Sequence, residues 1–195
     1  MTSTRRPIAV PETLIARARR GDQASFDAMF AAYQPFLLRH LRMVCGTKAD
    51  DVAAATWESV AGSLDRFRGD GHDFRRWLFT IARRRLVDDL RRDARRPLEA
   101  VSLDSVAEPA VAPDTSIEGA DWISQQLRTL PTRQAEVISL RVVGGLPVRD
   151  VAELLGISEA NVRVLGHRGL ATLRAALIGD SEDADRVREE IGLAL

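Results

Sequence analysis

Residues Val148–Arg174 read VRDVAELLGISEANVRVLGHRGLATLR. Val148, Val151, Ala152 and Leu155 recur at i, i+3, i+4 and i+7, which places them on one apolar helical face. Gly156 follows, the residue type that ends a helix in the left-handed conformation, and Pro147 stands at the start, where a helix tolerates proline. Ile157 is positioned to pack back, and Ser158 to cap a second helix through its side-chain oxygen. That helix sets Val162, Leu165 and Leu173 on one face and offers Asn161, Arg163, His167 and Arg168 elsewhere. Helix, short glycine turn and polar second helix form the pattern of a helix-turn-helix. A helical hairpin inside an ordinary bundle has the same pattern, so the rest of the chain must decide.

The chain has 195 residues, room for one domain or two small ones, and a hydrophobic content of 45%, enough for a core. Formal net charge is zero, so a role with nucleic acid must rest on local charge separation. Lys48 is the only lysine; the remaining positive charge is arginine, which suits bidentate phosphate and guanine contacts. Cys45 stands alone in an apolar helical run and reads as core, and His40, His72 and His167 have no ligand spacing. No cofactor is expected. No apolar run approaches the ~20 residues that span a bilayer, and MTSTRRPIAV leads into no stretch of signal-peptide character. A cytoplasmic protein without membrane insertion is the expectation.

Upstream, a tail over 1–12 leads into a short helix that Gly21 stops. The next segment carries Phe26, Met29, Phe30, Tyr33, Phe36, Leu37, Leu41 and Val44 as a stripe expected to bury, with a kink or restart at Pro35. Asp50 opens a third helix, its acidic first turn matching the helix dipole. DRFRGDGHD, residues 65–73, reads as a loop, and Asp73 as the cap of a long helix to Arg96. Between Arg66 and Arg96, eleven arginines stand against five aspartates, with Phe67, Phe74, Trp77 and Phe79 among them. Arginine for backbone and aromatics for unstacked bases suit single-stranded nucleic acid, although Trp77 and Phe79 individually read as core. Asp88, Asp89 and Asp93 superficially resemble a magnesium-binding set, but the surrounding arginines would neutralise them, so intrahelical pairs are expected.

Proline and small residues then mark a linker over 97–119, whose 22 residues from Pro97 to Glu118 reach ~70 Å when extended. A second module follows over 120–179, with a helix through Trp122, Ile123 and Leu127, then one that Thr132 caps and Gly144-Gly145 ends. Residues 180–195 form a terminal tail. The expected fold is all-α: two small helical domains on a flexible linker, the second holding the helix-turn-helix. No nucleophile triad, phosphate loop or dinucleotide glycine motif is present, so the chain does not read as an enzyme.

Two stretches in this order carry a resemblance. FRRWLFTIARRRLVDDLRR, with the helices before it, and LRTLPTRQAEVISLRVVGGLPVRDVAELLGIS together resemble the extracytoplasmic-function (group four) sigma factors of the sigma-70 family, over Leu14 to Leu177. The resemblance implies a first domain, 13–96, that binds core RNA polymerase and captures the promoter's minus-ten element, and a second that reads the minus-thirty-five element. It implies polymerase contact, at the largest subunit's clamp helices and the flap, and assigns Asp50, Asp51 and Trp57 to that surface. Arg68, Asp70 and His72 fall in the loop that would hold a flipped base, and Arg75, Arg76, Arg83 and Arg84 would hold the separating backbone. Ser158, Glu159, Asn161, Arg163, His167 and Arg168 would face the major groove. Asn161 and Arg163 suit base edges, and Arg168 suits a phosphate. An anti-sigma partner is also implied.

The chain departs from the family pattern at Ala54 and Ala55, where Gln-Glu is usual, and at Leu165, Leu170 and Thr172, where arginine is usual. Gly166 replaces a leucine. These changes imply weaker polymerase contact and either less reliance on the minus-thirty-five element or an unusual one, and they leave a degenerate interaction protein as an alternative. A stand-alone helix-turn-helix regulator is the other, although it would normally require dimer symmetry.

Overall fold

The computed structural model describes residues 10–95, 127 and 129–179, and every described element is helical. The linker and the tail over 180–195 lie outside the described residues. Seven α-helices follow in order: α1 Glu12–Ala18, α2 Gln23–Cys45, α3 Ala49–Ala61, α4 Gly71–Arg95, α5 Thr132–Ile138, α6 Val148–Leu155 and α7 Glu159–Gly179.

The apolar line Met29, Tyr33, Leu37 and Leu41 is fully buried along α2. It carries α2 on through exposed Pro35 without a restart. Burial on both sides outweighs the one backbone hydrogen bond that proline cannot make. Phe30 lies one position off this line and is 39% exposed rather than buried. Leu90 of α4 is likewise exposed. Val10, expected in the loose tail, is buried, and its amide donates to the Tyr33 hydroxyl at 3.4 Å.

The cap of α4 is Asp70, not Asp73. Asp70 Oδ1 accepts from the amides of His72 (2.7 Å) and Asp73 (2.9 Å), and the Asp70 amide donates to Asp73 Oδ2 at 3.1 Å. This is a reciprocal capping box, in which the second acidic residue reaches back. Thr132 makes no cap for α5, which starts after Pro131 instead. Nor does α5 run straight to the glycines: Ser139–Val143 widens into a π-helical turn before Gly144.

The helix-turn-helix has the expected form. Gly156 is left-handed at φ 65°, and the Ile157 amide donates to the Ala152 carbonyl at 3.1 Å. Ser158 Oγ accepts from the Asn161 amide at 3.2 Å, capping α7.

The two modules share one core. Helix α2 packs on α5 and on the π-helical turn, and α4 packs on α6. Val137, Leu140, Leu146, Val151, Ala152, Leu155 and Val162 join the first module's buried cluster. A second cluster of Leu127, Leu130, Ala135, Ile138, Leu170 and Leu173 lies between α5 and α7, and Met43 of α2 reaches it.

Candidate nucleic-acid interface

The arginines of α4 line a groove of about 830 Å³. Arg66, Phe67 and Arg68 form one end; Arg76, Trp77, Thr80, Arg83, Arg84 and Arg91 form the floor. Asp150, Glu153 and Leu154 of α6 form the facing wall. Arg66 and Arg91 belonged to the basic cluster evident in the sequence; nothing in the sequence pointed to the acidic wall.

The four backbone-holding candidates have different surroundings. Arg84 is exposed. Arg75 is only 6% exposed, and its Nη1 donates to the Gly145 carbonyl at 3.3 Å. Arg76 lies 3.6 Å from Asp73 and 3.3 Å from Glu153. Arg83 pairs with Glu136 at 2.8 Å, and Arg133 lies 3.3 Å from the same carboxylate. Partial desolvation of Asp150 in the wall raises its carboxyl pKa, against the opposing charge of Arg76.

At the head of the groove, Asp70 and Asp73 stiffen the loop through the capping box. Backbone hydrogen bonds from Asp73 and His72 hold the Asp70 carboxyl below its ordinary pKa. Arg68 Nη1 donates to the carbonyls of Asp65 and Phe67, both at 2.8 Å, which folds that side chain back onto the loop. His72 is exposed.

Asp50 and Asp51 are exposed on the first turn of α3, Asp50 lying 3.8 Å from Arg42. Trp57 is only 6% exposed; its indole donates to Gln34 Oε1 at 2.7 Å. Phe30 leans on it at 5.0 Å between ring centroids and presents the aromatic surface that Trp57 does not. Expecting Phe30 to bury hid that. Ala54 is exposed and Ala55 half-buried on the same helix.

On α7, Ser158, Glu159, Asn161, Arg163, His167 and Arg168 are all exposed. Glu159 and Arg163 pair within the helix at 2.7 Å. Of the three positions where arginine is missing, Leu170 is buried and Leu165 packs against the core. Thr172 alone is exposed, and its hydroxyl donates to the Arg168 carbonyl.

Other sequence candidates resolve into structural roles. Asp89 pairs with Lys48 at 2.9 Å and with Arg92 at 3.6 Å; Asp88 lies 4.0 Å from Arg91. The Cys45 thiol donates to the Leu41 carbonyl, and burial, helped by Asp89, pushes its pKa up to about 11, which disfavours the reactive thiolate.

Residues 29–96 match the family model for sigma-70 region 2, and residues 120–173 match that for sigma-70 region 4. The ECF RNA polymerase sigma factor ShbA of Streptomyces griseus is 31% identical over 179 residues, covering 83% of this chain and 92% of that protein. The ECF RNA polymerase sigma factor SigD of Mycobacterium tuberculosis is 28% identical over 183 residues, covering 89% and 86%. Among solved structures, CnrH in complex with the cytosolic domain of CnrY matches with a TM-score of 0.58 at 28% identity, covering 88% of this chain and 99% of that one.

Proposed function

Since the chain belongs to the ECF RNA polymerase sigma factors, which bind core polymerase and direct initiation at promoters, we propose the following division of labour among its surfaces. Helix α3, with Asp50 and Asp51, and the neighbouring Phe30 face the polymerase clamp helices. The groove along α4 takes the minus-ten element as it separates. Extracting a base costs a few kcal/mol of stacking and pairing; the capping box around Asp70 supports this role by holding the receiving loop in one shape before DNA arrives. Arg76, Arg83 and Arg84 hold the strand's phosphates. Helix α7 enters the major groove at the minus-thirty-five element, with Asn161 and Arg163 toward base edges and Arg168 toward a phosphate.

The observation that carries this reading is the pairing of an arginine-lined groove in the first module with an exposed, capped recognition helix in the second. The protein acts in the cytoplasm, where polymerase is. No described helix is long and apolar enough to cross a membrane. An anti-sigma partner covers these same surfaces; CnrH, a structural neighbour, has been solved in complex with another protein's cytosolic domain.

The test is reconstitution with bacterial core polymerase on genomic DNA. The reading predicts a stoichiometric complex that starts transcripts at discrete sites. A complex that initiates nowhere would reduce the protein to an interaction module, and a protein that binds duplex DNA specifically but never polymerase would be a stand-alone regulator.

A further inference from the structure

Three large apolar side chains are exposed among the described residues: Phe30, Leu90 and Val164. Phe30 leans on Trp57, and Leu90 stands in the last turns of α4. Val164 has a different setting. It lies in the second turn of α7, 45% exposed, among the residues that suit DNA.

Helical period points Val164 directly away from the core. Buried Leu173 is nine positions on, about two and a half turns, so the two side chains leave the helix in opposite directions. Buried Val162 lies roughly 160° round from Val164. The outermost line of α7 is therefore apolar: Ala160, Val164 and Ala171, all exposed, fall within about 40° of one another. Exposed Asn161 and Arg168 flank that line on one side, and exposed Arg163 and His167 on the other. A solvated amphipathic helix puts polar residues opposite its core, so this line inverts the usual order. Nor does Val164 help the helix itself. A β-branched residue has a lower helix propensity than alanine, and an exposed one regains nothing through burial.

A major groove accounts for the inversion. Among the groups that base pairs present there, the apolar one is the C5-methyl of thymine. Valine in a helix keeps one strongly favoured χ1 rotamer, so its methyl groups lose little freedom on contact. Alanine at 160 and 171 leaves room for the helix to sit close to the base edges. Asn161 and Arg168 are about 10 Å apart along the axis, the length of roughly three base-pair steps, and Val164 lies between them.

We propose that Val164 reads the C5-methyl group of a thymine in the minus-thirty-five element, about one base-pair step from the base that Asn161 meets. Asn161 and Arg163 supply hydrogen bonds, and Val164 distinguishes thymine from cytosine where a hydrogen bond is not used. This inference rests on the reading of α7 as the recognition helix.

The test uses the full chain with bacterial core polymerase, on promoter duplexes taken from the start sites that the pair uses. Each thymine of the footprinted upstream element is replaced in turn by deoxyuridine, which lacks only the methyl group. At one thymine the replacement should weaken binding about fourfold, the worth of one methyl group removed from water. Val164→Ala should weaken binding to the unmodified duplex by a similar factor. It should also treat thymine and deoxyuridine alike at that position, within about 1.5-fold, because both changes delete the same contact. Alanine at an exposed helical position raises helix propensity, so this variant should fold. Suppose Val164→Ala keeps the deoxyuridine loss, or no thymine shows one, while Asn161→Ala or Arg168→Gln still weakens upstream binding. Val164 then reads no methyl group, and α7 keeps its role. A Val164→Ala defect in assembly with polymerase alone would assign the residue to a protein contact and equally overturn the proposal. If none of Asn161→Ala, Arg163→Gln and Arg168→Gln weakens upstream binding, the recognition reading falls and this inference with it.

Discussion

The arginines of α4 and α7 share a chemistry and differ in neighbours. On α4, three of the four strand-holding candidates contact the second module, and one of them, Arg75, is almost wholly buried. On α7, Arg163 pairs only within its helix and all six recognition candidates face solvent. A basic surface is available to a nucleic acid only if its counterions are mobile salt ions rather than fixed carboxylates. The comparison separates two proposed tasks: reading a duplex, for which the α7 candidates face solvent, and holding a strand, for which three of the α4 candidates already have partners in the second module.

The strongest way to break this comparison is to remove the apolar seam between the modules. Phe79 is fully buried against both modules, and Phe79→Ala should cost about 3–5 kcal/mol, the range for deleting a buried aromatic. Urea unfolding should then show a lower midpoint, and a separate early transition for the second module would identify the seam as what couples the two.

A gentler lever is pH. His40 is buried among Phe79, Ser139 and the Arg83–Glu136 pair, and burial first, then the Arg83 charge, lowers its pKa from 6.5 to about 4. Between those values the unfolded chain binds more protons than the native one, so stability is full above about pH 6.5 and falls as pH drops toward 4. The whole loss is on the order of 3 kcal/mol. Thermal unfolding at pH 5 and pH 7.5 should show roughly two thirds of this loss, and His40→Gln should flatten it.

The recognition helix sharpens the other side. Arg163→Gln should cost about 1–3 kcal/mol in promoter binding by the polymerase complex if it reads a base edge. Arg168→Gln should reduce the salt dependence by about 0.9 in log–log slope, as expected for one phosphate contact. Footprints at two salt concentrations separate these outcomes. Equal effects of both changes on every sequence would assign both residues to phosphate.

The smallest expected effect concerns the glycines of α7. A Cβ at Gly166 would sit 3.8 Å from Val137 Cγ1, ordinary contact, so Gly166→Ala should stabilise by up to about 1 kcal/mol. At Gly169 the same Cβ would lie 2.5 Å from Ile138 Cδ1. Gly169→Ala must shift that side chain, so it should give little gain or a loss in the same melting experiment.

Much of this was legible in the chain. Helical period, the Gly156 turn, the Ser158 cap and the arginine run are local signals, each set by residues within a turn or two of one another. The misreadings were local contests that packing decided. Proline at position 35 yielded to the buried line on either side, Phe30 lay one step off that line, and Asp70 took the cap expected of Asp73.

By itself, the sequence determined the order of the seven helices described here, two modules, and a basic surface on each. Only the tertiary structure decided which of those surfaces is covered. The deciding contacts join residues 53, 70 and 77 positions apart, Arg83 with Glu136, Arg75 with Gly145 and Arg76 with Glu153. A carboxylate on an amphipathic helix has the same local pattern whether it faces water or an arginine; its partner is set by how the apolar faces dock, because that burial supplies most of the energy and the charges follow.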